Sequence, residues 1–463
     1  MKRRDFFRTG GVAGLGMGLW QGIGKSIDRL EFDSEVKNII FLVTDGMSSG
    51  TFQMGDLLRQ RMDGKVSHWL QLYRDKEITR AIMDMASANS SVTDSAAAAS
   101  SWGGGVRVKN GSLNMGPKGE VYTPIFQKFK AAGKSTGCVT TVPITHATPA
   151  GFLIAAESRG DQAKIAELYL KEKFDVLMGG GHEYFDSAKR EDGKDMYAKF
   201  RQAGYHIAMD KEGMKKASKD NPLLAVFHEG GLPYTLDQKF DRHYSETIPT
   251  LAEMTTKAID LMKGNPRGFV VQVEAGKVDW AAHGNDLGGI LYDQLAFDDA
   301  VKVAIDFARK DQNTLVIITT DHGNANPGLF SGRNADNNFN KVLSFTQTAD
   351  FILGQITNKL NPDQVVELIQ THKGITLEKE NAKELLKFYE KLDDPANYRP
   401  YDLPFKRFAE MLSPHTNVGW AGTSHSADYV ELSMFGPGSE ALPPFLLNTD
   451  LHHYMLKAAG VRG

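Results

Sequence analysis

The sequence predicts an α/β fold built on a mainly parallel central sheet, and three observations predict it. Short β-branched apolar runs alternate with longer helical patterns along most of the chain. Three of these runs lead into an acidic residue just past their C-terminal ends, where open parallel sheets place their ligand crevice. A length of 463 residues with ordinary glycine and proline usage is enough for a large buried core.

The strands are expected at Ile39–Val43, Thr136–Thr141, Phe174–Met178, Phe269–Val273, Leu315–Ile318 and Tyr429–Met434. The helices are expected at Ser95–Trp102, Tyr122–Ala132, Ala150–Ser158, Ile248–Met262, Asp293–Lys310 and Leu451–Ala459. Between Asn324 and Gly419 the rhythm changes. Pro362–Gln370 and Thr376–Leu392 are amphipathic, rich in Lys and Glu, and accompanied by no strand pattern. A segment this long is rarely a bare loop, so residues 327–419 are expected to form an inserted, mostly helical subdomain. Residues 183–245 are polar and irregular and are expected to decorate the surface.

Charge and cysteine content narrow the function classes. With 54 Lys and Arg against 57 Asp and Glu, the formal charge is −3, which argues against a nucleic-acid binder working through a broad basic face. The single cysteine, Cys138, excludes an intramolecular disulfide and by itself suggests a reducing compartment. The N-terminus points elsewhere. Lys2-Arg3-Arg4-Asp5-Phe6-Phe7-Arg8 followed by a Gly-rich, weakly apolar run to Gly24 has the form of a twin-arginine (Tat) export signal. Residues 1–26 are expected to be that signal and 27–463 the folded domain, periplasmic or secreted. Gly22-Ile23-Gly24 supplies small residues without an Ala-x-Ala site, which leaves cleavage and a retained N-terminal anchor both open. No other stretch approaches the ~20 apolar residues of a spanning helix.

The acids after the strands are Asp45 in Val-Thr-Asp-Gly, Glu274 in Gln-Val-Glu-Ala-Gly and Asp321 in Thr-Thr-Asp-His-Gly. Each alone is readable as a helix cap. Three converging carboxylates repel one another, and the usual compensation is a cation. Asp279 and His283, four residues apart, share one helical face, and His322 and His425 add imidazoles from loops. Carboxylate plus imidazole suits zinc, and oxygen-only ligation suits magnesium. The remaining histidines (His68, His182, His206, His228, His243, His372, His415, His452 and His453) are taken as structural or solvated. In Ser91-Val-Thr-Asp94-Ser95-Ala-Ala-Ala-Ala, a capped run of strong helix formers puts Ser95 in a first turn. There the helix dipole and a nearby cation would favour an alkoxide nucleophile.

These motifs, with Ala-Thr148-Pro-Ala and Arg159 downstream and Gly-Thr-Ser-His425 near the C-terminus, closely resemble the alkaline phosphatase family over most of the chain outside the leader and the two irregular segments. The resemblance implies a three-layer α/β/α fold in which 327–419 corresponds to a variable crown or lid, and a homodimer. It implies a first zinc on Asp279, His283 and His425, and a second on Asp45, Asp321 and His322 with Ser95 as exchangeable ligand. A third, magnesium-like site would be bridged by Asp45 and completed by Thr148 and Glu274. Arg159 would grip phosphate through its planar fork. Where enterobacterial members carry an Asp and a Lys beside the third metal and the phosphate, this chain has His146 and Trp280. The imidazole opens the third site to zinc or cobalt as well as magnesium, and loss of the lysine implies weaker inhibition by product phosphate.

The implied activity is hydrolysis of small phosphate monoesters through a phosphoserine. Two other readings stand beside it. A phosphodiesterase, sulfatase or phosphomutase of the same superfamily is one, although Ser95 lacks the Pro-x-Arg context of a sulfatase. A phosphate- or zinc-binding protein without turnover is the other, and it would have no use for a nucleophile. No nucleic-acid partner is expected, and the Tat export machinery is.

Overall fold

Buried apolar strands with helices on both faces organise the computed structural model, which describes Leu30, Phe32, residues 36–390 and residues 403–462. The expected leader lies outside the described residues, as does the end of the helix expected to run to Leu392.

The strands are β1 (Asn38–Thr44), β2 (Thr79–Asp84), β3 (Ser135–Pro143), β4 (Val176–Gly180), β5 (His206–Ala208), β6 (Leu223–Val226), β7 (Phe269–Ala275), β8 (Thr314–Thr319), β9 (Gly323–Asn324), β10 (Pro327–Leu329), β11 (Val418–Trp420), β12 (His425–Ser426), β13 (Val430–Phe435) and β14 (Phe445–Leu447). Ten of them form one sheet in the order β14-β2-β13-β8-β1-β7-β3-β4-β6-β5. Among the described residues only β13 runs antiparallel to its neighbours in that sheet. β1 and β7 are buried at every position, as strands covered on both faces must be.

Two hydrophobic clusters lie on opposite faces. One receives α1 (Ser95–Gly104), α2 (Ala147–Leu153) and the C-terminal helix Asn448–Ala458. The other receives α3 (Leu251–Met262), α4 (Lys277–His283), the long α5 (Leu287–Asp311), and α6 (Pro362–Lys373), α7 (Lys379–Tyr389) and α8 (Phe405–Thr416) from the segment between β10 and β11. That segment is tied to the body by carboxylates. Asp286, the N-cap of α5, accepts from the Ala349 amide at 2.6 Å, and Asp237 accepts from the Thr348 amide and hydroxyl at 2.7 Å each.

Several expected boundaries move for identifiable reasons. Residues 183–245 are not surface decoration: β6 is fully buried and, with β5, extends the central sheet. Strands of three and four residues between charged helices are too short to show a period. The helix expected at Ala150–Ser158 is α2, which ends at Leu153, because Ala156 leaves the helix to exchange backbone hydrogen bonds with Leu113. The helix expected from Tyr122 starts at Ile125, after Pro124. α3 starts at Leu251, where Thr250 and Glu253 form a capping box.

Candidate active site

Strand register brings the acids together. Val43 pairs with Glu274 across β1–β7, Thr140 with Glu274 across β3–β7, and Val43 with Thr319 across β1–β8. Asp45, Glu274 and Asp321 therefore emerge at the carboxyl ends of adjacent strands, and all three are fully buried. The turn after Asp45 requires Gly46, whose φ is +70° and where a Cβ would lie 2.6 Å from Asp279 Oδ1.

Ser95 opens α1 and is 1% exposed. Asp94 caps the helix by accepting from the Ala97 amide at 2.9 Å, and its other oxygen accepts from Arg159 Nη1 at 3.1 Å. Arg159 Nη2 lies 3.0 Å from His146 Nε2. A guanidinium only donates, so that imidazole nitrogen accepts and the ring proton sits on Nδ1. Burial, then Arg159, pushes the His146 pKa down to about 3, which keeps the ring neutral. Trp280 meets His146 edge to face, with centroids 6.2 Å apart.

His322 Nε2 faces three oxygens: Ser95 Oγ at 3.4 Å, Asp45 Oδ1 at 3.4 Å and Asp321 Oδ2 at 3.2 Å. Burial, then His425, holds its pKa at about 3. Asp279, His283 and His425 form a second group, with His283 Nε2 3.4 Å from Asp279 Oδ2 and His425 Nε2 3.5 Å from Asp279 Oδ1. Although burial opposes it, Asp279 is held below its usual value by His283, His322 and His425. A third group comprises Asp45, Glu274 and His146, and Thr148 Oγ1 donates to Asp45 Oδ2 at 3.4 Å. Because the one lone pair of His146 faces Arg159, the oxygens of Asp45, Thr148 and Glu274 are the free donors there.

The site carries more negative charge than its surroundings satisfy. Burial, then Asp321, raises Asp45 well above the carboxylate range. Burial also pushes Glu274 and Asp321 up to about 7. Asp45 Oδ1, Asp321 Oδ2 and Glu274 Oε1 are buried without a hydrogen-bond partner. Orphaned acceptors this dense fit cations. The further His68, Asp298 and Asp299 group is different, since Arg59 Nη2 already contacts Asp299 at 2.5 Å and Asp298 at 3.4 Å.

All the residues singled out in the sequence thus meet in one crevice. Sequence reasoning missed those that hold them. Asn324 Nδ2 donates to Asp279 Oδ1 at 2.7 Å, and Thr140 Oγ1 donates to Glu274 Oε2 at 2.5 Å. The Thr93 and Thr423 carbonyls accept from the Nδ1 atoms of His425 and His283. The only legible signal for Asn324 and Thr140 was their nearness to a strand end.

A buried serine at a helix start, a guanidinium held beside it and acid–imidazole groups around it define the class as hydrolases of phosphate esters. A family model described as "Alkaline phosphatase" matches residues 36–461. Alkaline phosphatase 4 of Bacillus subtilis is 32% identical over 442 residues, covering 94% of this chain and 91% of that protein. The crystal structure of Thermus thermophilus alkaline phosphatase superposes with a TM-score of 0.88 at 31% identity, covering 97% and 96% of the two chains. A cold-active alkaline phosphatase from a Shewanella species shares the fold, with a TM-score of 0.78 over 91% of this chain and 99% of that one at 24% identity. The chain belongs to the alkaline phosphatase family and is a phosphoric monoester hydrolase.

Proposed function

We propose that Ser95 is the nucleophile and that the monoester is cleaved through a phosphoserine at a site for two zinc ions and one magnesium ion. The observation that carries this reading is the position of Ser95 Oγ, in the first turn of α1 and 3.4 Å from His322 Nε2, with Arg159 held by Asp94 on the same side. Asp279, His283 and His425 would hold the first zinc. Asp45, Asp321 and His322 would hold the second, and Asp45, Thr148 and Glu274 the magnesium, since the imidazole that would have admitted zinc or cobalt is engaged by Arg159. Bound there, the cations would lower the pKa of the serine and of a water and neutralise the leaving oxygen.

The chain's own residues do the rest. Arg159 binds two phosphate oxygens through its fork, and Asp94 and His146 fix its plane. The dipole of α1 favours the Ser95 alkoxide. Attack at phosphorus in line breaks the ester bond and leaves the phosphoryl group on Oγ; water attacks from the vacated side, freeing phosphate and regenerating Ser95. Ser95→Ala should retain metal content and lose both turnover and covalent labelling by a phosphoryl donor. Stoichiometric labelling of that variant would overturn the assignment.

The twin-arginine leader supports export by the Tat machinery to the periplasm or beyond, and the family resemblance supports a homodimer with 327–419 as its crown or lid. Among the described residues no helix is long and apolar enough to cross a membrane. Mass spectrometry of the exported chain's N-terminus tests the leader, and sedimentation tests the dimer.

A further inference from the structure

Beside the phosphate-facing residues lies an ammonium to which the chemistry above gives no role. Lys277, the first residue of α4, is 7% exposed, and its Nζ stands 3.6 Å from the Tyr234 ring centroid and 4.7 Å from that of Trp280. Both ends of the residue are pinned. Its amide donates to Thr141 Oγ1 at 3.1 Å, and the backbone of Gly231 closes over the pair, where a Cβ would come within 3.0 Å of Trp280 and 3.1 Å of Lys277. Burial lowers the pKa of this amine, and Asp350, Asp293, Asp237 and Asp286 act in the opposite direction. Three of them already accept hydrogen bonds: Asp237 from Thr348, Asp286 from Ala349 and Asp293 from the Thr235 amide. Neutralising them does not require a side chain stacked between two rings, whereas a cation held against ring faces fixes those rings in place.

We infer that Lys277, clamped between the Tyr234 and Trp280 rings, is a positioning residue that sets Trp280 against His146 and, through His146, the Arg159 guanidinium that receives phosphate. The chain of contacts runs from Lys277 to Trp280 at 4.7 Å, from Trp280 to His146 at 6.2 Å and from His146 to Arg159 at 3.0 Å. This rests on the proposed role of Arg159.

The test measures inhibition by inorganic phosphate alongside KM and kcat for p-nitrophenyl phosphate, with metal content and Tm determined on each metal-loaded protein. Lys277→Met should raise the phosphate inhibition constant by roughly 3- to 10-fold at unchanged metal content, and Lys277→Arg should restore most of it. In a Trp280→Ala background the same Lys277→Met change should have no effect on phosphate affinity. Tyr234→Leu, which removes the opposite ring, should weaken phosphate in the same direction and serves if Lys277→Met does not fold. Unchanged phosphate affinity in a folded variant, or an equal loss with and without Trp280, overturns the inference. Wild-type hydrolysis with competitive phosphate inhibition is the control: if it fails, the reading of the site falls, and if it holds, the variants test the clamp alone.

Discussion

The Nε2 atoms of His283 and His425 face each other at 3.1 Å. Each Nδ1 donates to a main-chain carbonyl, His283 to Thr423 at 2.7 Å and His425 to Thr93 at 2.9 Å, so Nε2 is the nitrogen each ring turns toward the crevice. Two such nitrogens at that distance, with Asp279 beside them, suit a shared cation. Chelation should therefore lower Tm and abolish turnover, and zinc should restore both. His425→Ala should lose about one equivalent of tightly bound zinc, read by atomic absorption.

The pH dependence of the metal-free protein follows from the acids. Asp321 moves from 3.8 to about 7 and Glu274 from 4.5 to about 7. A carboxyl whose folded pKa is raised contributes stability that is complete below its unfolded value and is lost as pH rises to the folded one. The Tm of the chelated protein should fall between about pH 4 and about pH 7 and then level off. Zinc and magnesium should suppress that fall and release protons on binding, measured by calorimetry in buffers of different ionisation enthalpy.

Asn324 orients a carboxylate of the first metal group. Replacing it with Ala removes the 2.7 Å donation to Asp279 Oδ1. Zinc affinity should drop by about 10- to 100-fold, as for other outer partners of metal ligands, and a chromophoric chelator should withdraw the metal faster.

Asp94 serves the helix and the arginine together. Asp94→Ala should cost about 1 kcal/mol of stability through the lost cap. It should also raise KM by freeing Arg159, whose ion pair with Asp94 spans 3.1 Å. Asp94→Asn should keep the cap and still raise KM, which separates the two effects.

In a Lys277→Met background, where the ring is no longer clamped, Trp280→Lys should tighten inhibition by inorganic phosphate, because an ammonium then stands in place of a ring. Inhibition assays on the two proteins at equal metal content check it.

The sheet's central strands β1, β7 and β8 were legible because they are buried on both faces and read as near-continuous apolar runs, and β3 was legible through its β-branched Val and Thr. β2, β5, β6 and β14 were not, since short or edge strands alternate with polar residues or are cut by turns. Asp45, Glu274 and Asp321 were legible because strand ends are fixed by local pattern and the crevice by topology. Asn324 and Thr140 shared only the nearness to a strand end, without a residue type that marks a ligand, and Lys277 carried no signal.

By itself the sequence determined which residue types stand at which strand ends and helix starts, and thereby the family and the donor chemistry. Tertiary structure decided which donors meet. His425 reaches His322 only because β9 pairs with β12 and β10 with β11, closing the long segment between them. The Nδ1 protons of His283 and His425 are likewise held by the Thr423 and Thr93 carbonyls, distant in the chain. Hydrogen bonds and burial act through space, so no local pattern of residues encodes them.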